Sequence, residues 1–233
     1  DGALDEWDPQ GFTEVTRPVQ IQEDWDWTGP EDGRFRWAAA LGTEHLHVAV
    51  QAWDQRWVGQ SEADSPERVD QFFVQLDART PERIREERSQ NHPYRLYGHE
   101  WVEPGRFLQI RFKPDGSPAA VQAEPATTGS GMPSQDGNGR APKLQVNDPA
   151  AAVRAAGSLE RNEAGGVIYT AEMAIPLAYV TSQQGEAWRE IRLNVGWMDH
   201  DRPENTKPSI LWWRPVWDLG ADFDGSSVFR RRP

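Results

Sequence analysis

Alternation of apolar and polar side chains is the feature of this chain that most restricts its fold. In residues 46–53 (LHVAVQAW), every second residue from Leu46 to Ala52 is apolar. Residues 71–77 (QFFVQLD) alternate in the same way. Because successive side chains of a strand point to opposite faces, each segment predicts a β-strand with one buried face.

Similar segments recur along the chain, at residues 35–41, 107–112, 167–175 and 191–199. Turn formers are abundant, with 18 Pro and 20 Gly. Many short strands with turn signals between them predict an all-β fold, an antiparallel β-sandwich of immunoglobulin-like or jelly-roll type. Neither half has enough strands to close a sandwich, so we expect one domain over residues 1–233. It would carry long inserted loops at about residues 78–106 and 114–160.

Charge and composition exclude several classes of partner. The formal net charge is −12, from 25 basic and 37 acidic residues, and such a surface repels nucleic acid and anionic membrane. There is no cysteine, which excludes disulfides and thiolate metal sites. No apolar run approaches the roughly 20 residues that a membrane helix needs. The sequence begins at Asp1 without a Met, so we expect a mature or excised chain with a secreted, periplasmic or extracellular location.

Five blocks carry a family likeness, in the order DGALDEW (1–7), LHVAVQAWD (46–54), VDQFFVQLD (69–77), EMAIP (172–176) and RLNVGWMDHD (192–201). In this order and spacing they resemble the family 9 carbohydrate-binding modules. The resemblance implies a two-sheet sandwich of the DOMON-like superfamily and non-catalytic binding of a polysaccharide or oligosaccharide. It also implies a role beside the enzyme domains of a larger secreted carbohydrate-active protein, and often bound calcium.

The same resemblance points to particular site residues. Arg111 matches an Arg that hydrogen-bonds the sugar in the family. The family's first stacking Trp has no counterpart at its own position, and Trp57 in the same loop is the nearest substitute. Near the C-terminus, Trp212 and Trp213 are adjacent, so one of them should face the core. We expect Trp213 and Trp217 to face outward and complete the aromatic clasp.

The alternation gives a second, independent route to a site. If the apolar faces pack inward, three strands place Gln51, Trp53, Phe73, Gln75, Gln109 and Arg111 on one outer surface. Rings stack on the C–H faces of a sugar, while amides and a guanidinium hydrogen-bond its hydroxyls. The alternative is that Trp53 and Phe73 belong to a second packed layer, with the amides as ordinary polar groups.

Carboxylates at close spacing indicate a calcium site. Asp199 with Asp201, and Asp222 with Asp224, offer hard oxygen ligands. Neither pair completes a calcium-loop motif, so solvated loop acids remain the alternative.

Two other functions compete with carbohydrate binding. A polysaccharide lyase on a β-sandwich would use Gln75, Arg111, His99 and Tyr97. No spacing selects a catalytic carboxylate pair, however, and no GxSxG occurs. We therefore expect the chain not to be an enzyme.

The other alternative is a haem-b carrier, by analogy with relatives on the DOMON-like plan. Met198 with His200 or Lys207 would then ligate the iron.

Overall fold

The computed structural model describes residues 2–17, 27–59, 69–82, 108–112, 121–125, 153–162, 166–202, 208–214 and 227–231. Its strands are β1 (Thr13–Val15), β2 (Gly33–Leu41), β3 (His45–Asp54), β4 (Gln71–Asp77), β5 (Leu108–Phe112), β6 (Val121–Pro125), β7 (Arg154–Arg161), β8 (Val167–Pro176), β9 (Glu190–Asp199), β10 (Ser209–Trp212) and β11 (Val228–Arg230). A 3₁₀ helix spans Pro9–Gly11. The α-helix α1 (Leu177–Gln184) follows β8 and ends at Gly185, whose φ of 81° favours glycine.

The strands form two sheets with antiparallel pairing throughout. Sheet A has the order β1-β2-β3-β8-β7, and sheet B has the order β10-β9-β4-β5-β6, with β11 also paired to β9. This architecture confirms the predicted all-β antiparallel sandwich. Within the described residues, no helix is long and apolar enough to span a membrane.

The core lies between the sheets and follows the alternation of β3 and β4. The apolar residues of β3 from Leu46 to Ala52 and those of β4 from Phe72 to Leu76 belong to one buried cluster. Aromatic rings fill its centre, where Phe72 and Trp197 have ring centroids 4.6 Å apart. Burying each such side chain stabilises the fold by roughly 1.5–3 kcal/mol, which explains why the alternation specifies these strands.

The sandwich separates strands that the sequence analysis placed on one surface. Strand β3 lies in sheet A, whereas β4 and β5 lie in sheet B. The outward residues of β3, Gln51 and Trp53, are therefore on the opposite side of the molecule from Phe73 and Gln75. Alternation defines the two faces of a strand but not the sheet to which the strand belongs, so the prediction of a single six-residue surface is wrong.

The predicted second insertion was drawn too wide. Residues 114–160 include β6 and most of β7. Strand β7 reads RAAGSLER and is only partly buried along its length, so it lacks the apolar alternation that would have marked it. Most of the first predicted insertion, residues 78–106, lies outside the described residues.

Candidate functional site

The outward side of sheet B gathers rings and amides from three neighbouring strands. We call this side the outer face of sheet B, and its described side chains nearest the rings are Gln71, Phe73, Gln75, Asn194, Met198, Ile210 and Trp212. Gly196 on β9 is paired with Phe73 on β4 and with Trp212 on β10. These three residues form one row across the sheet, and Gln75 paired with Asn194 begins the next row.

Phe73 and Trp212 stack on each other across that row. Their ring centroids are 5.7 Å apart and the ring planes are inclined by 26°. Gly196 makes the contact possible, since a Cβ there would lie 2.6 Å from Cε3 of Trp212. Both rings are largely withdrawn from water, with 5% and 3% of their surface exposed. They form a small cluster separate from the main core, joined only by Met198 and Ile210 among the described residues.

Polar atoms beside the ring pair are buried without a hydrogen-bond partner. These atoms are Oε1 of Gln75 and Nε1 of Trp212. A neighbouring amide is better satisfied, because Nδ2 of Asn194 donates to the carbonyl of Arg214 (3.2 Å) and its Oδ1 accepts from the Arg214 N–H (3.1 Å). Buried polar groups in proteins are almost always paired. The open acceptor and donor beside the ring pair make this face a candidate ligand site.

Strand β5 adds Arg111 to the same row. Its backbone pairs with that of Phe73, and Gln109 pairs with Gln75. The backbone register thus places Arg111 in the strand beside Phe73, and its part in a site stays a prediction.

Two predicted stacking residues pack against or within the core instead of on the outer face of sheet B. Trp57 is 5% exposed and packs in the core, with its ring centroid 5.7 Å from Tyr169 and 6.3 Å from Trp197. Trp213 is half-buried and packs against the core, with its ring centroid 4.6 Å from that of Trp37. The prediction for Trp57 is corrected, because a ring enclosed in the core offers no face to a sugar. Of the adjacent tryptophans, Trp212 and not Trp213 reaches the outer face.

Trp53 is the remaining described candidate, and it lies on sheet A. It is half-buried, with the guanidinium groups of Arg34 and Arg36 at 5.1 and 5.4 Å from its ring centroid. The ring of Trp53 is thus already in contact with two cations. Its neighbour Gln51 donates to Thr170 Oγ1 at 3.3 Å. Trp217, predicted to face outward, lies outside the described residues.

A second cluster, made of carboxylates, occupies one end of the sandwich. Asp54 ends β3, Asp70 immediately precedes β4, and Asp199 ends β9. One oxygen from each of the three lies within 4.8 Å of the others. We call these three residues the aspartate cluster. It joins the sheets, because Asp54 belongs to sheet A while Asp199 belongs to sheet B.

Backbone N–H groups hold two of these carboxylates in place. Asp70 accepts from the N–H groups of Val58 (2.6 Å) and His200 (2.7 Å), and Oδ1 of Asp54 accepts from the N–H of Arg56 (2.7 Å). Oδ2 of Asp54 and Oδ1 of Asp199 are buried without a hydrogen-bond partner. The cluster thus contains buried carboxylate oxygens without a donor, while the side chains of Asp54 and Asp70 hydrogen-bond to each other.

The charges of the aspartate cluster are costly to maintain. Burial raises the pKa of Asp54 to about 7, with smaller contributions from Asp201 and Asp32 that are opposed by hydrogen bonds. Burial likewise raises the pKa of Asp70 well above its usual range, and the charges of Asp54 and Asp199 add to the shift. Burial, followed by Asp54 and Asp201, raises the pKa of Asp199 well above that range. Like charges out of water destabilise the ionised state unless a cation joins them.

The predicted calcium ligands are only partly brought together. Asp199 belongs to the aspartate cluster, and Asp201 lies close enough to raise the pKa values of Asp54 and Asp199. Asp222 and Asp224 lie outside the described residues. The sequence analysis missed Asp54 and Asp70, although each is an aspartate at a strand end, as Asp199 is.

Residues of the competing functions are also placed in part. Met198 is half-buried, and Nε2 of Gln71 lies 3.3 Å from its sulfur. His200 is buried at the end of β9. Lys207, Tyr97 and His99 lie outside the described residues. The lyase and haem hypotheses therefore stay predictions.

Comparisons with known proteins agree with this fold. A scan against protein-family models finds no match, and neither does a search of curated proteins. Among solved structures, a proposed carbohydrate-binding protein from Bacteroides uniformis superposes with a TM-score of 0.52 at 11% identity, covering 94% of this chain and 85% of that one. At this identity the likeness shows a shared β-sandwich fold.

Two further structures are of a family 9 carbohydrate-binding module from Caldicellulosiruptor kristjanssonii. The complex with cellotriose has a TM-score of 0.48 at 9% identity, covering 91% of this chain and 77% of that one. The complex with glucose has a TM-score of 0.48 at 8% identity, covering 91% and 79%. Membership of the DOMON-like superfamily stays a prediction.

Proposed function

We propose that this chain is a non-catalytic carbohydrate-binding module that holds a polysaccharide or oligosaccharide on the outer face of sheet B. The observation that carries the proposal is the stacked pair Phe73–Trp212 beside two buried polar atoms without partners, Oε1 of Gln75 and Nε1 of Trp212. A sugar offers matching chemistry, since it has apolar C–H faces and hydroxyls that both donate and accept.

Each group of the outer face has a distinct role in this proposal. In this proposal, binding opens the ring pair, which is 5% and 3% exposed in the free chain, to the C–H face of a pyranose. A sugar hydroxyl then donates to Oε1 of Gln75, and another accepts from Nε1 of Trp212. Arg111, paired with Phe73, supplies charge-assisted hydrogen bonds from its guanidinium. Few polar groups set around an apolar surface are typical of a small-ligand site.

The fold and the charge of the chain support the same ligand class. The fold is shared with a protein that is itself a proposed carbohydrate binder. A net charge of −12 favours a neutral or cationic ligand over an anionic one. That the chain is exported and accompanies enzyme domains stays a prediction.

The carboxylate of Asp77 supports binding without catalysis. Asp77 continues the outward row of β4, but it is buried and held by Arg79 at 2.9 and 2.7 Å, with Arg192 at 3.5 Å. A glycosidase needs one carboxylic acid to give up a proton and a second carboxylate to attack or activate water. Asp77 is held between two guanidinium groups. It is therefore suited to joining β4 and β9 rather than to donating a proton or activating water.

A glycan panel tests the proposal. Soluble oligosaccharides and polysaccharides are titrated into the purified chain, and intrinsic tryptophan fluorescence is followed. We expect saturable quenching or a spectral shift with at least one neutral glycan. The proposal fails if no glycan binds.

The same samples separate the competing functions. After long incubation with each bound polysaccharide we expect no unsaturated chain ends and no new reducing ends, whereas their appearance would establish a lyase or hydrolase. A Soret band on addition of haem would instead support the electron carrier.

A further inference from the structure

Two adjoining cavities lie at the end of the sandwich opposite the aspartate cluster. Strand β3 runs from His45 at this end to Asp54 at the other, and these residues are about 30 Å apart in an extended strand. The smaller cavity has a volume of about 140 Å³ and the larger one of about 760 Å³. Trp188 and Arg231 line both cavities, so a single ligand can reach into both.

The smaller cavity is apolar and leads into the core. Its lining includes Leu46, Ile191 and Leu193, which belong to the buried cluster between the sheets, and Phe229, which packs against that cluster. Leu41 also lines it and is 48% exposed, the one large hydrophobic residue among those described that is open to water. An engineered cavity of about 150 Å³ with a lining of this kind binds benzene. The smaller cavity therefore suits an apolar group of about that size.

Arg231 stands where the two cavities meet. Its guanidinium carbon lies 5.2 Å from the ring centroid of Trp188, and its Nη1 donates to the carbonyl of Glu186 at 3.3 Å. A guanidinium has five N–H donors, so others remain for a ligand. Carboxylates pair with such donors more strongly than neutral acceptors do. A carboxylate is thus the group expected next to the apolar part of the ligand.

The larger cavity favours a single negative charge. Arg154 lines it, and so does Leu177 at the N-terminus of α1, where no side chain caps the helix. The guanidinium and the positive end of the helix dipole both attract an anion. Glu44 and Glu186 also line this cavity, and they would repel a ligand with further negative charges.

We propose that this end of the sandwich binds a small monocarboxylate that carries an apolar group of about the size of benzene. The apolar group fills the smaller cavity, and Arg231 and Arg154 hold the carboxylate in front of α1. The site lies at the end of the sandwich and away from the outer face of sheet B, so it does not depend on the proposed sugar site.

Isothermal titration of the purified chain with sodium 3-phenylpropanoate tests the proposal. Two further probes separate the parts of the ligand at the same ionic strength, since 3-phenylpropanamide keeps the ring without the charge and acetate keeps the charge without the ring. We expect saturable binding of 3-phenylpropanoate with a Kd below about 1 mM. Each of the other two probes should bind at least roughly tenfold more weakly.

Variants at exposed positions locate the site. Ala39→Leu fills the smaller cavity from its rim, and Arg231→Gln removes the guanidinium at the junction; both residues are exposed. Each variant, and Arg154→Gln, should weaken 3-phenylpropanoate binding by roughly tenfold. Arg161→Gln is the matched control, because Arg161 is exposed at the other end of the strand that begins with Arg154. It should keep the wild-type affinity.

Three results overturn the proposal. The first is a wild-type chain that does not bind 3-phenylpropanoate, and the second is one that binds acetate or the amide as tightly. The third is an equal loss in Arg154→Gln and Arg161→Gln, which would reflect the overall charge of the chain rather than this site. Because the comparison of the three probes uses the wild type, a variant that fails to fold does not prevent a decision.

Discussion

The ring of Trp212 reaches across strand β9 to stack on Phe73, with centroids 5.7 Å apart and Gly196 beneath the contact. The two rings come from strands that are not neighbours in sheet B. Their contact exists because the strand between them has no side chain at that position.

Gly196→Ala tests this relationship directly. The added Cβ would lie 2.6 Å from Cε3 of Trp212, so the ring must move away from Phe73. We expect a loss of about 1–3 kcal/mol in the free energy of unfolding, as for other overpacked sites, and weaker sugar binding although no sugar-contacting group is removed. Denaturant unfolding and glycan titration measure the two effects.

Gly11→Ala is the matched control, since a Cβ there meets nothing within 4 Å. It should leave sugar affinity unchanged. If the Gly196→Ala chain binds sugar and unfolds like the wild type, the ring contact contributes neither to stability nor to sugar binding.

The ring of Trp57 stabilises the fold and does not contact the sugar. Its ring lies between Tyr169 and Trp197 in the core, so Trp57→Ala should leave a cavity and cost about 3–5 kcal/mol of stability. Trp57→Phe, which keeps most of the volume, should bind glycans with wild-type affinity. Urea unfolding and titration of the folded variants provide the measurements, and a Trp57→Phe chain with strongly weakened glycan binding would return Trp57 to the site.

The pH dependence of stability follows from the aspartate cluster in metal-free protein. Burial raises the pKa of Asp54 from 3.8 to about 7, and Asp70 and Asp199 shift in the same direction. Between those two pH values the folded state holds a proton that the unfolded state has lost. This contribution to the free energy of unfolding therefore falls as the pH rises through that window.

Thermal unfolding in EDTA at intervals from about pH 4 to pH 8 checks the sign. The Tm of the wild type relative to Asp54→Asn should decrease as the pH rises, while the difference between the wild type and the exposed control Asp5→Asn should stay flat. A wild-type Tm that rises relative to Asp54→Asn over this range would contradict the assignment of buried, uncompensated carboxyls.

The sequence predicts the strands well where burial enforces alternation. Strand β4 has its predicted bounds, residues 71–77, and β3 differs by one residue at each end. Strand β7 was missed because it carries no apolar alternation, and β6 because its alternation (VQAEP) is short and only weakly apolar. Alternation also cannot decide which sheet a strand joins, which is why Trp53 was placed beside Arg111 although the two lie in different sheets.

The sites could be predicted only in part, for similar reasons. Adjacent strand residues face opposite ways, so one of Trp212 and Trp213 had to face the core, but the sequence does not say which. Asp54, Asp70 and Asp199 are far apart in the chain, and only the sandwich topology brings them within 4.8 Å. Their shared position at strand ends is the one signal that would have linked them.

Paired titrations of two tryptophans on opposite faces test the central claim most directly. Trp212→Ala and Gln75→Ala alter the outer face of sheet B, whereas Trp53→Ala alters sheet A. With the best glycan of the panel, and with folding of each variant verified by circular dichroism, isothermal titration should show a loss of roughly 10-fold or more for the first two. The third should bind within about twofold of the wild type. Full affinity in Trp212→Ala and Gln75→Ala, or loss confined to Trp53→Ala, would contradict the account.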